Sequence, residues 1–139
     1  MDHEEDDPGT TWNQRARDSK PEWMITRMAW RAIQSALPRE AIISSDIVNN
    51  CAIVNAYPTF EEGRKYLAPG LFGPCGYGLP AIIGAKIGRP DTPVVGFAGD
   101  GAFGIAVTEL TAIGRGEWPA ITMIVFRNYQ WGAEKRNST

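Results

Sequence analysis

Apolar residues first recur at helical spacing between about Thr26 and Leu37, where Met28, Ala32, Ile33, Ala36 and Leu37 fall three or four apart until Pro38 stops the run. Residues 1–23 ahead of it are polar, contain Pro8, Gly9 and Pro21, show no apolar period and read as a tail or linker. Ala41–Ser45 (AIISS) is a short apolar strand ending at Asp46, and Asn49–Leu67 is irregular. A glycine-dense stretch, Pro69–Gly78, leads into Leu79–Ile87, whose Ala, Ile and Gly predict a tightly packed helix. Pro93–Ala98 (PVVGFA) is the next strand and runs straight into Gly99-Asp100-Gly101. Ile105, Leu110 and Ile113 then mark one face of a helix ending near Gly114 and Gly116, and Ile121–Phe126 (ITMIVF) is a continuous apolar strand, the pattern of a strand covered on both faces.

This alternation predicts the α/β class, a parallel sheet with helices on both faces, with residues 1–23 as a tail and 24–139 as one partial domain. There is no internal repeat. The sequence stops at Thr139, soon after a strand and a turn, so the domain is expected to be incomplete at its C-terminus. A sheet face left open there would forgo roughly 25 cal/mol for each Å² not buried.

Composition narrows the classes. With 43% hydrophobic and 22% charged residues the chain has the makings of a folded core. The net charge of -2 is uneven, because Asp2, Glu4, Glu5, Asp6 and Asp7 supply five of the sixteen acids and leave eleven against fourteen bases. Those bases are scattered, which argues against nucleic acid as a partner. Cys51 and Cys75 form no CxxC and no disulfide framework, so a reduced, cytoplasmic setting is expected. The acidic start is no signal peptide, and stretches such as Ala120–Phe126 fall far short of the ~20 apolar residues that span a bilayer. His3, the one histidine, lies in the acidic tail and reads as a solvated residue.

The chemistry concentrates at Gly99-Asp100-Gly101-Ala102-Phe103-Gly104, between a strand and a helix. As Gly-x-Gly-x-x-Gly it matches a dinucleotide fingerprint, but that site wants an acid at the end of the next strand, where this chain has Arg127-Asn128. An arginine suits NADP, so an NADP-dependent oxidoreductase stays open, at the cost of leaving Asp100 without a role. An aspartate in a pyrophosphate turn repels the phosphates unless a cation intervenes. Magnesium takes about six hard oxygens, one or two from carboxylates and the rest from phosphate and water. Asp100 and Asn128, one helix and one strand apart, end neighbouring strands at the edge where α/β sheets bind ligands. Backbone N–H groups of Gly101, Ala102 and Phe103 open the helix toward the same place.

Gly-Asp-Gly, twenty-five residues, then Arg127-Asn128 resembles the Gly-Asp-Gly…Asn-Asn signature of thiamine-diphosphate enzymes. The resemblance implies magnesium held by Asp100, Asn128 and the backbone carbonyl of Gln130, with Arg127 at the family's first asparagine. Gly70–Pro80 resembles the glycine-rich segment of acetolactate-synthase-like members, in which one residue, usually bulky and aliphatic, wedges under the thiazolium. Cys75 matches that position, beside Gly73 and Pro74; either the wedge is weaker or a neighbour such as Phe72 helps. Asp46–Asn50 aligns with the loop whose polar side chains, here Asn49 and Asn50, reach the diphosphate, and Val48 stands where relatives carry glycine. Trp131, Gly132 and Ala133 complete the implied cofactor set, Trp131 lining the pocket or plugging the core.

Asn55–Gly70 and Phe126–Asn137 resemble the branch of that family acting on sulfoacetaldehyde and phosphate, and the likeness runs over essentially the whole chain. It implies thiamine diphosphate and Mg2+ as cofactors, cleavage to acetyl phosphate and sulfite, and a homo-oligomer in the full-length protein. In the family the activating glutamate comes from another domain. No catalytic residue is therefore expected here, Glu109 and Glu117 read as solvent-facing, and the isolated chain should not turn over. Arg64, Lys65, Arg127, Lys135 and Arg136 are candidate anchors for sulfonate or phosphate. A non-enzyme reading, a truncated frame serving as a subunit contact, stands as the third alternative.

Overall fold

The structure, a computed structural model, describes residues 26–47, 65–114, 120–129 and 131. The chain divides into two compact units, one ending at Leu37 and the other beginning at Pro38.

In the first unit, helix α1 spans Thr26–Ala36. Its sheltered stripe is Trp30, Ile33, Gln34 and Leu37, while Met28, Ala32 and Ala36 are exposed. Of the expected stripe, Ile33 and Leu37 lie on the sheltered side and Met28, Ala32 and Ala36 do not. Trp30 is the largest apolar group in the helix and sets an i, i+3, i+4, i+7 face that the smaller alanines do not.

In the second unit, strands β1 (Ile42–Ser45), β2 (Tyr66–Leu67), β3 (Val94–Gly99) and β4 (Thr122–Phe126) form one sheet in the order β2-β1-β3-β4, parallel throughout. The expected parallel α/β architecture is therefore present, with the chain read as irregular before Leu67 contributing the two-residue edge strand β2. Helix α2 (Gly78–Gly88) packs on β3 and β1. Leu79, Ile82, Ile83 and Lys86 recur at i, i+3, i+4, i+7 and are buried. The three aliphatics meet Val94 and Ala106, with Ile42, Phe103, Ile113 and Met123 against them, and each gains about 1.5–3 kcal/mol of transfer free energy. Lys86 buries its stem and donates from Nζ to the Thr92 carbonyl at 2.9 Å, satisfying its charged end near the helix C-terminus. Pro80 sits in the first turn of α2, where no intrahelical N–H is lost.

Two expectations fail after β3. The predicted single helix is α3 (Asp100–Ala106), a 3₁₀ turn (Val107–Glu109) and a short α4 (Leu110–Ile113). Its buried positions are Ala102 and Ala106, whereas Ile105 is 56% exposed and Leu110 is exposed too. The tighter 3₁₀ turn shifts the phase of the helix, so a single 3.6-residue period drawn from Ile105 to Ile113 does not describe one face. Strand β4, expected to be covered on both faces, is an edge strand with its residues exposed or half-buried. Central β3 has that character instead: Val94, Val95, Phe97 and Ala98 are all buried. Alternate β3 residues point to opposite faces, so both faces of the sheet are covered at this strand.

Candidate functional site

Parallel strands put their C-terminal ends on one edge, and the functional residues follow those ends directly. Asp46 follows β1, Asp100 follows β3, and Arg127 and Asn128 follow β4. The registers Ser45↔Phe97 and Gly99↔Phe126 set the three ends side by side. The strand order reverses between β1 and β3, which is where open α/β sheets form their ligand crevice.

The glycine-rich segment lies across these ends and is held by Asp46. This carboxylate is 1% exposed and accepts three backbone N–H groups: Ile47 (2.9 Å) and Gly76 (3.0 Å) on Oδ1, and Gly78 (2.7 Å) on Oδ2. The Asp46 amide donates to the Phe97 carbonyl at 2.7 Å, and Ser44 Oγ donates to the Gly78 carbonyl at 2.7 Å. A Cβ at Gly78 would stand 3.2 Å from the Asp46 nitrogen, Asp46 Oδ2 and the Phe97 oxygen, so the backbone approaches only because side chain is lacking there. At Gly76, φ is +86° and a Cβ would come within 2.9 Å of Ile105 on α3. Within this segment Cys75 is half-buried, and Phe72, the candidate helper of the wedge, is 94% exposed.

Asp100 is half-buried at the first position of α3. The Tyr129 amide donates to its Oδ2 at 3.2 Å, and its Oδ1 has no partner among the described residues. One contact thus joins the Gly-Asp-Gly turn to the turn after β4. The N–H groups of Gly101, Ala102 and Phe103, in the first turn of α3, have no intrahelical acceptor. Trp131 lies over Gly101, where a Cβ would meet its Cζ2 at 2.9 Å, and it is 46% exposed. Its indole lies at the surface and does not plug the core. Tyr129 has φ +58°, a left-handed conformation unusual for a side-chain-bearing residue, and the Arg127 guanidinium stacks 3.9 Å above its ring.

Asp100, Gly101, Ala102, Phe103, Asn128 and Trp131 therefore gather at one corner of the sheet edge, with Gly99 as the last residue of β3. Gly73, Pro74 and Cys75 belong to the glycine-rich segment bound to the end of β1. Asn49, Asn50, Gln130, Gly132 and Ala133 lie outside the described residues, as do His3, Val48, Cys51, Arg64, Glu117, Lys135 and Arg136. Glu109 is exposed in the 3₁₀ turn, as expected. Lys65 donates to the Arg39 carbonyl at 3.0 Å at the start of β2, on the edge opposite Asp100. Sequence reasoning missed Asp46 as an organiser; its signal was an acid ending an otherwise apolar strand.

The donor set suits a diphosphate sharing a divalent cation. It offers a carboxylate with one backbone hydrogen bond, an asparagine that follows the neighbouring strand and a first helical turn whose N–H groups have no intrahelical acceptor. Among the described residues no three His, Cys, Asp or Glu side chains converge, so a metal here would draw other oxygens from its ligand and water.

Residues 46–139 match the family model for the thiamine pyrophosphate enzyme C-terminal TPP-binding domain. Over all 139 residues the chain is 86% identical to a sulfoacetaldehyde acetyltransferase of Roseovarius nubinhibens and 84% identical to one of Rhodobacter capsulatus, covering 23% and 24% of those proteins. Over 93 residues, 67% of the chain, it is 33% identical to the acetolactate synthase large subunit of Lactococcus lactis, covering 16% of it. The chain spans about a quarter of the length of the curated acetyltransferases it matches over its full length. It belongs to the thiamine pyrophosphate enzymes, and residues 46–139 carry their C-terminal TPP-binding domain.

Proposed function

We propose that this chain forms the diphosphate- and magnesium-binding part of a sulfoacetaldehyde acetyltransferase, converting sulfoacetaldehyde and phosphate to acetyl phosphate and sulfite. The observation that carries the reading is the contact between Asp100 Oδ2 and the Tyr129 amide, because it brings the two halves of the signature together at one sheet edge. The likeness to named sulfoacetaldehyde acetyltransferases over the whole chain supports the choice of substrate.

In this reading Asp100 and Asn128 give magnesium a carboxylate and an amide oxygen, and the Gln130 carbonyl gives a third. The N–H groups of Gly101, Ala102 and Phe103 hold phosphate oxygens, and the metal offsets the charge Asp100 would otherwise set against them. Asn49, Asn50, Trp131, Gly132 and Ala133 complete the cofactor set, and Gly73, Pro74 and Cys75 carry the wedge. When bound, thiamine diphosphate supplies the nucleophilic carbon and the electron sink. Asp46 acts indirectly by fixing the backbone that bears Cys75. The residues that trigger the cofactor belong to a separate domain of the family, so this chain binds without turning over. The assembly is a homo-oligomer in the cytoplasm.

Titration of the chain with thiamine diphosphate, with and without magnesium, and with NADP in parallel, tests the reading. Magnesium-dependent stabilisation by thiamine diphosphate is expected; stabilisation by NADP alone would transfer Gly99–Gly104 to the dinucleotide reading.

A further inference from the structure

Arg127 stands apart from the other cations of the second unit. Arg39 and Lys65 precede β1 and β2, and Lys86 and Arg89 precede β3, all at the ends of the strands away from Asp100. Among the described residues of this unit Arg127 is the one cation at the C-terminal edge. It is exposed, and among those residues its guanidinium has a single partner, the face of the Tyr129 ring at 3.9 Å. A guanidinium stacked on an aromatic face keeps its in-plane N–H fork available, and that fork matches two oxygens of a tetrahedral anion.

The platform beneath it is fixed at a cost. Tyr129 holds φ at +58°, which disfavours a side-chain-bearing residue by about 1–2 kcal/mol. Its amide is tied to Asp100 Oδ2 at 3.2 Å while its ring lies under Arg127. Strain of this kind persists where surrounding contacts impose it and gathers at functional sites. Here it sets a cationic fork over the ring of the residue whose amide is bonded to the carboxylate assigned to the metal.

We propose that Arg127, stacked on Tyr129, anchors a tetrahedral oxyanion of the reactants beside the Asp100 site. That anion is either the sulfonate of the substrate or free phosphate. The proposal rests on the function proposed above and deepens it, since it assigns an anion site where the family signature has an asparagine. The cofactor's own diphosphate belongs to the α3 turn instead.

The test uses the 139-residue chain labelled with 15N, following the Arg127 Nε–H and Tyr129 amide signals. Inorganic phosphate and ethanesulfonate are the probes, each titrated in the presence of magnesium and thiamine diphosphate. Saturable shifts of both signals are expected with at least one anion, and the one that produces them identifies the source. Arg127→Gln should abolish saturation and Arg127→Lys should weaken it about tenfold, since an ammonium lacks the planar fork. Magnesium-dependent cofactor affinity should stay within about twofold of wild type in both variants, and unchanged Val94–Ala98 amides would report an intact sheet. Shifts that survive in Arg127→Gln, or a response to neither anion while cofactor binds, overturn this proposal alone. A tenfold loss of cofactor affinity in Arg127→Gln gives the guanidinium to the diphosphate and also overturns it. A chain that binds no cofactor overturns the functional reading and this proposal with it.

Discussion

Gly101 has an indole where its side chain would be. A methyl there would stand 2.9 Å from Trp131 Cζ2, so Gly101→Ala must either displace the ring or strain the start of α3. Overpacking of this kind costs about 1–3 kcal/mol. Gly101→Ala is therefore expected to lower the urea midpoint, and adding Trp131→Ala should recover most of the loss; a double-mutant cycle without coupling would contradict the packing. Asp100 calls for the opposite outcome. Its carboxylate is half-buried with one backbone hydrogen bond, so Asp100→Asn should leave stability nearly unchanged while weakening magnesium-dependent thiamine-diphosphate binding at least tenfold by calorimetry. Equal affinity in the two proteins would remove Asp100 from the metal. The place of Asp100 at the end of a strand, opening a helix, was readable because Gly-Asp-Gly directly follows an apolar run. The place of Trp131 over Gly101 was not, since an indole is as good a core residue as a surface one and only its exposure tells them apart.

At the scale of elements, Asp46 determines how the glycine-rich segment meets the sheet. Its carboxylate serves donors one, thirty and thirty-two residues away, and the two distant ones have no trace in local spacing. Strands β1 and β3, helix α2 and the glycine run could be drawn from apolar runs and punctuation alone. Strand β2 could not, because two residues cannot show a period, and neither could the 3₁₀ turn at Val107–Glu109. Removing the Asp46 carboxylate strands the buried Gly78 N–H and the part-buried N–H groups of Ile47 and Gly76, and an unsatisfied buried donor costs about 1–3 kcal/mol. Asp46→Ala is expected to destabilise the chain by at least about 2 kcal/mol. Asp46→Asn should also destabilise it, since its NH2 group would face a donor. Gly76→Ala attacks the same joint from the other side, with φ at +86° and Ile105 2.9 Å from the new Cβ, and should cost about 1–3 kcal/mol. Chemical denaturation reads all three. If Asp46→Ala were as stable as wild type, those hydrogen bonds would not hold the segment.

Across the sheet, protection from solvent is graded. Strand β3 lies between β1 and β4 and is buried along most of its length, whereas β2 and β4 are the edges. Local opening should therefore be easiest at the edges and approach global unfolding only in β3. Hydrogen exchange is expected to be slowest at Val94–Ala98 and faster by orders of magnitude at the outward-facing amides of β4. A ligand at the C-terminal edge would change this gradient, because the ends of β1, β3 and β4 all meet there. Binding to the folded state alone adds RT ln(1 + [L]/Kd), about 2.7 kcal/mol at a hundred times Kd. With magnesium and thiamine diphosphate at that excess, β3 amides that exchange by global unfolding should slow by about a hundredfold. The Tyr129 amide, exposed and bonded to Asp100, should gain more protection than the amides of β2. Because β2 is the edge strand farther from Asp100, a ligand seated elsewhere would reverse that order. Slowing concentrated at Tyr66–Leu67 with Tyr129 unchanged would place the binding site away from the Gly-Asp-Gly turn.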